Sequence, residues 1–361
     1  MSPRARKLIP LVLVLLPVAL LVVLGYWWSL GDNPPLVATP LAPERVMGTS
    51  CELVAITPPH QVDSAEEALA EAEELLRDLE AQMSVYLERS RLSVFNAAPA
   101  GESFPLTDDL AAVLKDARQA WQDSDGAFDV TVYPLVELWT ACAKAGAPPT
   151  DEQLAAAVAR VGMDKLQLDD GTATKLAEGV RVDLGGIAKG YAVDRATELL
   201  QKQRWPGGMV NLGGNIRLFG ADQYRRPWEV AIQHPFATER VCGRLLLSDA
   251  AVSTSGNYYR FHLVAGRRYS HILDPRTGRP VQGAPSVTVV SLATAGTPPS
   301  ACLADAWSTA LSVLGPEGLK RLKAHPGLEA MMILGDSEKH QVRMTEGFKK
   351  LLVPGTSIDL D

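Results

Sequence analysis

The sequence predicts an α+β domain with mixed, largely antiparallel sheets and flanking helices. Short segments of alternating or β-branched apolar residues recur between turn residues, which is typical of antiparallel strands. Helical segments are interspersed among them without the regular strand–helix alternation that marks a parallel sheet. Of the 361 residues, 47% are hydrophobic and 21% are charged, so the chain has enough apolar material for a sizeable core.

An uncharged apolar run occupies residues 8–30 and follows Arg4, Arg6 and Lys7. As a helix it would be about 34 Å long, which is enough to cross a bilayer. Basic residues before such a run favour a cytoplasmic N-terminus. We therefore expect residues 1–30 to be a transmembrane anchor, in a bacterial inner membrane, with the rest of the chain facing the periplasm or the cell exterior. The alternative is a cleaved signal peptide, although the run is long for one and no clear cleavage site follows.

The remaining residues divide into a linker and one folded domain. Residues 31–43 contain four prolines and few large apolar residues, which is typical of a linker. We expect the domain to occupy residues 44–361. Its first half is predicted to contain a strand at 45–56, helices at 63–87, 110–121 and 150–161, an irregular segment at 83–102, a turn and short strand within 125–139, and a hairpin at 166–176. Its second half is predicted to contain one glycine-rich strand within 207–220, strands at 228–233, 244–247, 251–254, 286–292 and 331–334, a strand–turn series within 253–281, and helices at 300–314 and 316–324.

A glycine pair at Gly185 and Gly186 separates the β-branched end of a predicted strand from a helical segment that continues beyond residue 190. This order of elements directs backbone N–H groups towards an anion. Lys189 lies in the first turns of the helix, where it could meet a phosphate, and Asp183 ends the strand. A buried turn with a salt-bridged lysine is the alternative, and the residues of this segment alone do not decide between the two.

Three oxygen-bearing side chains share one face of the helix predicted at 300–314. Asp305, Ser308 and Thr309 stand at positions i, i+3 and i+4. One carboxylate and two hydroxyls are hard ligands that suit Mg²⁺ better than zinc. Incidental polar residues near a helix start are the alternative interpretation.

Two further segments carry candidate residues. His271 follows a predicted strand and precedes a proline turn, and a histidine near neutral pKa could act as a general base. Residues 126–129 place Phe128 beside Asp129, and with Tyr86 this aromatic ring could form a slot for a flat ligand. For both segments a structural role is the alternative.

The overall charge and the cysteines exclude some classes of function. The formal net charge is −7 and no long basic run follows residue 7, so nothing suggests nucleic-acid binding. The cysteines show no paired spacing of the kind found in zinc sites. A periplasmic location would permit disulfides, but the sequence does not determine any pairing.

Nine blocks, taken together, closely resemble the FAD:protein FMN transferases of the ApbE family, and they occur in that family's order over roughly residues 44–335. The blocks are MGTSCEL, MSVYLERSRLSVFN, GAFDVTVYPLVELW, VDLGGIAKGYAVD, VNLGGNI, IQHP, VSTSGNYYRF, YSHILDPRTGRPV and ADAWSTALSVLG. The resemblance implies two lobes around a nucleotide cleft. It also implies Mg²⁺-dependent transfer of the FMN half of FAD to a threonine or serine of a target protein, through a phosphoester, with release of AMP. Typical targets are subunits of the sodium-pumping NADH:quinone reductase and of Rnf-type complexes.

The resemblance also implies roles for individual residues. The positions that match nucleotide contacts are Met47, Tyr86, Ala127, Phe128, Asp129, Asp183, Lys189 and Ile272. The positions that match the metal site are Gly186, Asp305, Ser308 and Thr309, with Gly186 acting through its carbonyl. His271 matches a histidine that assists catalysis. Two other functions remain open, namely Mg²⁺-dependent hydrolysis of FAD to FMN and AMP, and flavin binding without turnover.

Overall fold

The fold is organised around an antiparallel sheet of eight strands, seen in a computed structural model that describes residues 34–256 and 261–360. The strand order is β1-β2-β6-β7-β10-β13-β14-β15. The strands are β1 Val37–Leu41, β2 Cys51–Thr57, β3 Ser103–Pro105, β4 Leu166–Asp169, β5 Thr172–Lys175, β6 Gly207–Leu212, β7 Asn215–Gly220, β8 Trp228–Gln233, β9 Val241–Leu247, β10 Ala250–Gly256, β11 Phe261–Val264, β12 Arg267–Ser270, β13 Ser286–Leu292, β14 Leu328–Gly335 and β15 His340–Met344. The smaller sheets are β3-β5-β4, β8-β9 and β11-β12.

The helices flank this sheet and pack mainly on one of its faces. They are α1 Val62–Met83, α2 Arg91–Ala97, α3 Asp108–Asp123, α4 Tyr133–Ala145, α5 Asp151–Val158, α6 Ala188–Gln201, α7 Ala301–Leu314 and α8 Glu346–Lys349. Short 3₁₀ helices cover Pro59–Gln61, Met163–Lys165 and Gly315–Ala324. Helices α6 and α7 lie side by side against the sheet, and both carry predicted site residues.

Both faces of the large sheet are buried, as the alternating side chains of β14 show. Ala330 and Met332 join the main core with the helices, while Met331 and Ile333 join a second core that contains Phe348. A third apolar cluster lies around Leu135 and joins α4 and α5 to the β11–β12 hairpin. The α+β class with antiparallel sheets and flanking helices is therefore confirmed.

Three predictions about the first half of the chain were wrong. Residues 37–41, assigned to the linker, form the edge strand β1, which pairs with β2. The strand expected within 125–139 is absent because helix α4 starts at Tyr133, and Pro134 suits the first turn of a helix. The segment 83–102 contains helix α2, whose start is capped by Ser90, since its Oγ accepts a hydrogen bond from the N–H of Ser93 at 2.9 Å.

The second half also differs from prediction in places. Residues 207–220 form a hairpin of two strands, because Gly213 and Gly214 both have positive φ and make a two-residue turn. The strand expected to end at Asp183 is reduced to a single bridge between Arg181 and Val132. Strand β15 and helix α8 were not predicted. The hairpin predicted at 166–176 is confirmed by the pairing of β4 with β5.

The N-terminal prediction falls outside the described residues, which begin at Pro34. Within residues 34–256 and 261–360, no helix combines the length and the apolar character needed to cross a bilayer. The chain is attached to the body of the domain from its first described residue, since Arg225 Nη2 donates a hydrogen bond to the carbonyl of Pro34 at 2.8 Å. All four cysteines (Cys51, Cys142, Cys242 and Cys302) are buried and free.

Candidate functional site

The glycine loop before α6 is shaped by Asp183. Its N–H donates to the carbonyl of Val130 at 2.7 Å, and its Oδ1 accepts a hydrogen bond from the N–H of Gly185 at 2.7 Å. The N–H groups of Ile187 and Ala188 both donate to the carbonyl of Leu184. Several of the backbone N–H groups that the sequence suggested for binding a phosphate therefore donate within the loop instead. Only the remaining N–H groups are available to bind an anion.

Helix α7 presents the predicted metal ligands towards this loop. Asp305 and Ser308 are buried and Thr309 is half-buried. A Cβ placed on Gly186 would lie 3.1 Å from Oγ1 of Thr309, so the glycine backbone and the Thr309 hydroxyl are immediate neighbours. The structure thus brings Gly186 and Thr309 together from two separate parts of the chain.

The carboxylate of Asp305 joins the two helices. Its Oδ2 accepts a hydrogen bond from the N–H of Gly190 at 3.0 Å and lies 3.5 Å from Nζ of Lys189. Lys189 Nζ also donates to the carbonyl of Gly185 at 2.8 Å. The positive charge of Lys189 offsets the buried negative charge of Asp305, as burial of a carboxylate requires.

Two residues that sequence reasoning missed complete this arrangement. Ser253, on β10, lies with its Oγ 3.4 Å from Oδ1 of Asp305 and 2.6 Å from Oδ1 of Asn215 on β7. Ser255, two residues further along β10, lies with its Oγ 2.7 Å from Oγ of Ser308. The alternation of serines in a predicted strand was the available signal, because residues two apart share one face.

The start of α7 is fixed by another residue that the sequence did not single out, Asp194 of α6. Its Oδ1 accepts from Arg217 Nη1 at 2.8 Å and from the N–H of Ala301 at 2.9 Å. Its Oδ2 accepts from the Ser300 hydroxyl and the Cys302 N–H, both at 2.9 Å. A carboxylate at a helix N-terminus satisfies N–H groups that have no partner within the helix, so Asp194 sets where α7 begins.

Residues 127–129 lie beside the glycine loop. The side chain of Phe128 lies close to Gly186, whereas that of Asp129 makes hydrogen bonds elsewhere. The ring of Phe128 is buried, and its Cε2 lies 3.2 Å from where a Cβ of Gly186 would be. The buried carboxylate of Asp129 accepts hydrogen bonds from the N–H and hydroxyl of Thr131, at 2.8 and 2.6 Å, and from the N–H of Met163 at 3.0 Å. Burial raises the pKa of Asp129 although these hydrogen bonds lower it.

The remaining predicted site residues differ in their exposure. Met47 has a positive φ of 49° within the turn that precedes β2, and its half-buried side chain packs on the main core. Tyr86 is 83% exposed. The pKa of the neighbouring Tyr133 is raised mainly by its partial burial and by Glu137, with smaller contributions from Asp183 and Tyr86. Ile272 is buried, and the half-buried His271 lies in the bend after β12.

The donor set of the centre fits Mg²⁺. One carboxylate, two hydroxyls and a backbone carbonyl are oxygen ligands, and a site with few carboxylates leaves positions for water or phosphate oxygens. Among the described residues no three His, Cys, Asp or Glu side chains gather as a softer metal would require. Two open cavities of about 390 and about 420 Å³ lie elsewhere and are not lined by Asp305, Gly186 or His271.

Comparison with known proteins gives one consistent family. The sequence model of the ApbE family matches residues 47–332. A FAD:protein FMN transferase from Vibrio cholerae is 35% identical over 310 residues, covering 85% of this chain and 90% of its own length. One from Escherichia coli K12 is 32% identical over 279 residues, covering 75% of this chain and 78% of its own length.

Solved structures agree. The flavin transferase ApbE from Vibrio cholerae superposes with a TM-score of 0.76 at 34% identity, covering 88% of this chain and 100% of that one. The ApbE protein from Thermotoga maritima gives a TM-score of 0.76 at 29% identity, covering 87% and 99% respectively. The chain therefore belongs to the ApbE family of FAD:protein FMN transferases, enzymes that transfer a flavin to a target protein.

Proposed function

We propose that this chain uses Mg²⁺ to transfer the FMN half of FAD to a serine or threonine hydroxyl of a target protein, with AMP as the leaving group. The observation that supports this most directly is the carboxylate of Asp305 beside Lys189, in a group that also contains the hydroxyls of Ser308 and Thr309. The group combines ligands for a hard cation with one amino group that can turn towards a phosphate.

The metal would be held by Asp305, Ser308, Thr309 and the carbonyl of Gly186. When bound there, Mg²⁺ supplies charge neutralisation to the pyrophosphate of FAD and to the leaving AMP. Before the cation binds, Lys189 would balance the negative charge of Asp305. Once Asp305 coordinates the cation, Lys189 would pair with a phosphate oxygen instead.

FAD would lie as a substrate in a cleft between two lobes, with α6 and α7 on one side and the cluster around Leu135 on the other. Met47, Tyr86, Ala127, Phe128, Asp183 and Ile272 would contact the nucleotide. Because the carboxylate of Asp129 is occupied by Thr131 and Met163, we propose that Asp129 contributes through its backbone and through the shape of its turn.

The chemical step forms one bond and breaks one. The target hydroxyl oxygen forms a P–O bond to the FMN phosphorus, the P–O bond to AMP breaks, and AMP leaves with the electron pair. His271 would accept the hydroxyl proton, directly or through a water molecule. The modified residue is then a phosphoester of FMN.

One assay tests the reaction class. The full chain is incubated with FAD, Mg²⁺ and a candidate acceptor domain, and intact-mass spectrometry follows the acceptor while chromatography follows free FMN. Transfer gives the acceptor the mass of FMN less water, hydrolysis gives free FMN, and a binding protein gives neither. Only the first result supports the proposal.

Asp305→Asn tests the metal assignment, with Ser312→Ala, two turns further along α7, as its control. We expect the Asp305 variant to lose both Mn²⁺ binding and transfer, because the carboxylate is the charged ligand of the set. The control should keep both. Mg²⁺-dependent transfer retained by Asp305→Asn would remove this residue from the metal site.

We propose further that residues 1–30 anchor the chain in a bacterial inner membrane, with the domain on the periplasmic side and redox-complex subunits of the sodium-pumping NADH:quinone reductase or Rnf type as targets. The uncharged run at 8–30 and the basic residues before it support this. Intact mass of the membrane-extracted protein would show whether the segment is retained, and protease accessibility in spheroplasts would show the side of the domain.

A further inference from the structure

We propose that Ser255 is an additional binding residue of this site, whose hydroxyl donates a hydrogen bond to the pyrophosphate of FAD. This inference rests on the proposed function, since it takes Mg²⁺ and FAD as the ligands of the site. It assigns a role to the end of β10, a strand to which the reasoning from sequence gave no function.

Strand β10 ends with hydroxyl side chains that point to opposite faces of the sheet. Ser253 and Ser255 face α7, where Oγ of Ser255 lies 2.7 Å from Oγ of Ser308 and 3.4 Å from Oγ1 of Thr309. Thr254, between them, faces the other way and contacts Oγ1 of Thr288 at 3.0 Å. Ser253 and Ser255 therefore direct their hydroxyls towards the site, whereas the hydroxyl of Thr254 faces away from it.

The two serines that face the site differ in their freedom to bind a ligand. Ser253 is 1% exposed, and its Oγ donates to the carboxamide oxygen of Asn215 at 2.6 Å, an atom that can only accept. That proton is used within the protein. Ser255 is half-buried at the end of its strand, and its contacts are to hydroxyls that can exchange donor and acceptor roles.

Cation binding would release the proton of Ser255 for a new partner. Oγ of Ser308 donates to the carbonyl of Asp305 at 2.9 Å, so in the hydrogen bond between the two serines it accepts from Ser255. A cation at the Ser308 oxygen would repel the hydrogen that Ser255 points at the same atom. The Ser255 hydroxyl would then turn to another acceptor, and hydrogen bonds to anionic oxygens are the stronger choice.

The charges around the site also favour a neutral hydrogen-bond donor at this position. Asp305 and Asp183 are carboxylates close to the region in which the phosphates would lie, and they repel an anion. Lys189 is engaged with Asp305 and with the carbonyl of Gly185 before the cation binds. Once released from Asp305 it supplies one cationic group, whereas a pyrophosphate presents several acceptor oxygens. A neutral hydroxyl adjacent to the metal ligands therefore adds attraction for phosphate without adding a charge that would weaken cation binding.

The test compares FAD affinity in three variants, measured by flavin fluorescence with and without Mg²⁺. Ser255→Ala should weaken FAD binding in the presence of Mg²⁺ by roughly 10- to 100-fold, the effect of losing a hydrogen bond to a charged group. Thr254→Val removes the neighbouring hydroxyl from the opposite face and should bind FAD as the wild type does. Ser255→Thr keeps the hydroxyl on a residue suited to strands and should restore most of the affinity.

Two further probes separate a phosphate contact from other roles. Riboflavin, which has no phosphate, and Mn²⁺ without nucleotide should both bind Ser255→Ala as they bind the wild type. The proposal is overturned if Ser255→Ala binds FAD like Thr254→Val, if it loses riboflavin affinity to the same extent, or if it loses Mn²⁺ binding. The wild-type protein tests the proposed function separately. If its FAD affinity does not change when Mg²⁺ is added, the proposed metal-dependent function is overturned, whereas the variants test only the role of Ser255.

Discussion

The backbone N–H of Gly190 donates a hydrogen bond to Oδ2 of Asp305 across 3.0 Å, and this contact joins the helix that follows the glycine loop to the helix that carries the proposed metal ligands. It depends on the missing side chain of Gly190, because a Cβ there would lie 2.2 Å from the carbonyl oxygen of Ala301. The spacing between the two halves of the site is therefore set by a glycine inside a helix, where glycine is otherwise unfavourable.

Gly190→Ala should damage both stability and transfer. Overpacking against a backbone carbonyl costs about 1–3 kcal/mol, and the gain in helix propensity returns up to about 1 kcal/mol. We expect a lower urea midpoint and a transfer rate reduced at least about tenfold, since displacement of the N–H removes a hydrogen bond to a carboxylate. Glu198→Ala, on the exposed side of the same helix, is the control. Unchanged Mn²⁺ affinity and stability in Gly190→Ala would contradict the role given to this glycine.

His271→Gln should bind FAD normally and transfer it slowly. General base catalysis contributes roughly 100- to 10,000-fold, so a single-turnover rate with an acceptor protein should fall by that range. His262→Gln changes a half-buried histidine in β11 of the same hairpin and should keep the wild-type rate. If His271→Gln transfers FMN as fast as His262→Gln does, His271 is not the base.

Asp194→Ala should be strongly destabilising. Its carboxylate holds the buried Arg217 and two N–H groups at the start of α7. Its removal leaves that buried charge with only the longer contact to the exposed Glu198, at 3.9 Å, and should cost about 3–5 kcal/mol. Urea denaturation measures this loss. Asp222→Ala removes the partner of the exposed Arg226 and should cost no more than about 1 kcal/mol. Equal losses in the two variants would contradict the importance of the α7 contact.

Asp129 should make stability depend on pH in the direction opposite to most carboxylates. Burial raises its pKa in the folded protein above the ordinary value of 3.8, so the folded state binds more protons than the unfolded state between those two values. Its contribution to stability is therefore complete below about pH 4 and is lost as pH rises through the raised pKa.

Asp129→Asn isolates that contribution, because the amide does not titrate. Both proteins are unfolded in urea across the same series of buffers, and the free energy of unfolding of the variant is subtracted from that of the wild type. This difference should fall as pH rises above the ordinary aspartate pKa of 3.8. A difference that stays constant would show that the hydrogen bonds from Thr131 and Met163 balance burial, and one that rises with pH would show that they outweigh it.

The parts of the site that could be predicted from sequence are those governed by local spacing. Asp305, Ser308 and Thr309 share a helix face by the geometry of the helix alone, and the glycine pair marks its loop. Ser255 and Gly190 acquire their roles from β10 and α6 packing against α7. Their partners are distant in the sequence, so no local pattern encodes these contacts.

Local patterns also gave wrong structural assignments where two signals competed. The β-branched residues before Pro134 favoured a strand, but the proline suits a helix start, and helix α4 forms there. The prolines of residues 31–43 indicated a linker, yet an edge strand pairs on one side and tolerates a proline such as Pro40.

If residues 1–30 anchor the chain as proposed, the pairing of β1 and the hydrogen bond from Arg225 to Pro34 shorten its tether. Between Leu30, the last residue of the apolar run, and Pro34, covalent geometry allows at most about 14 Å. A linker extending to residue 43 would have allowed about 45 Å. An enzyme anchored in this way would reach acceptors only at heights set by the dimensions of its folded domain. The height of a threonine above the membrane would then become a criterion for which proteins it can flavinylate.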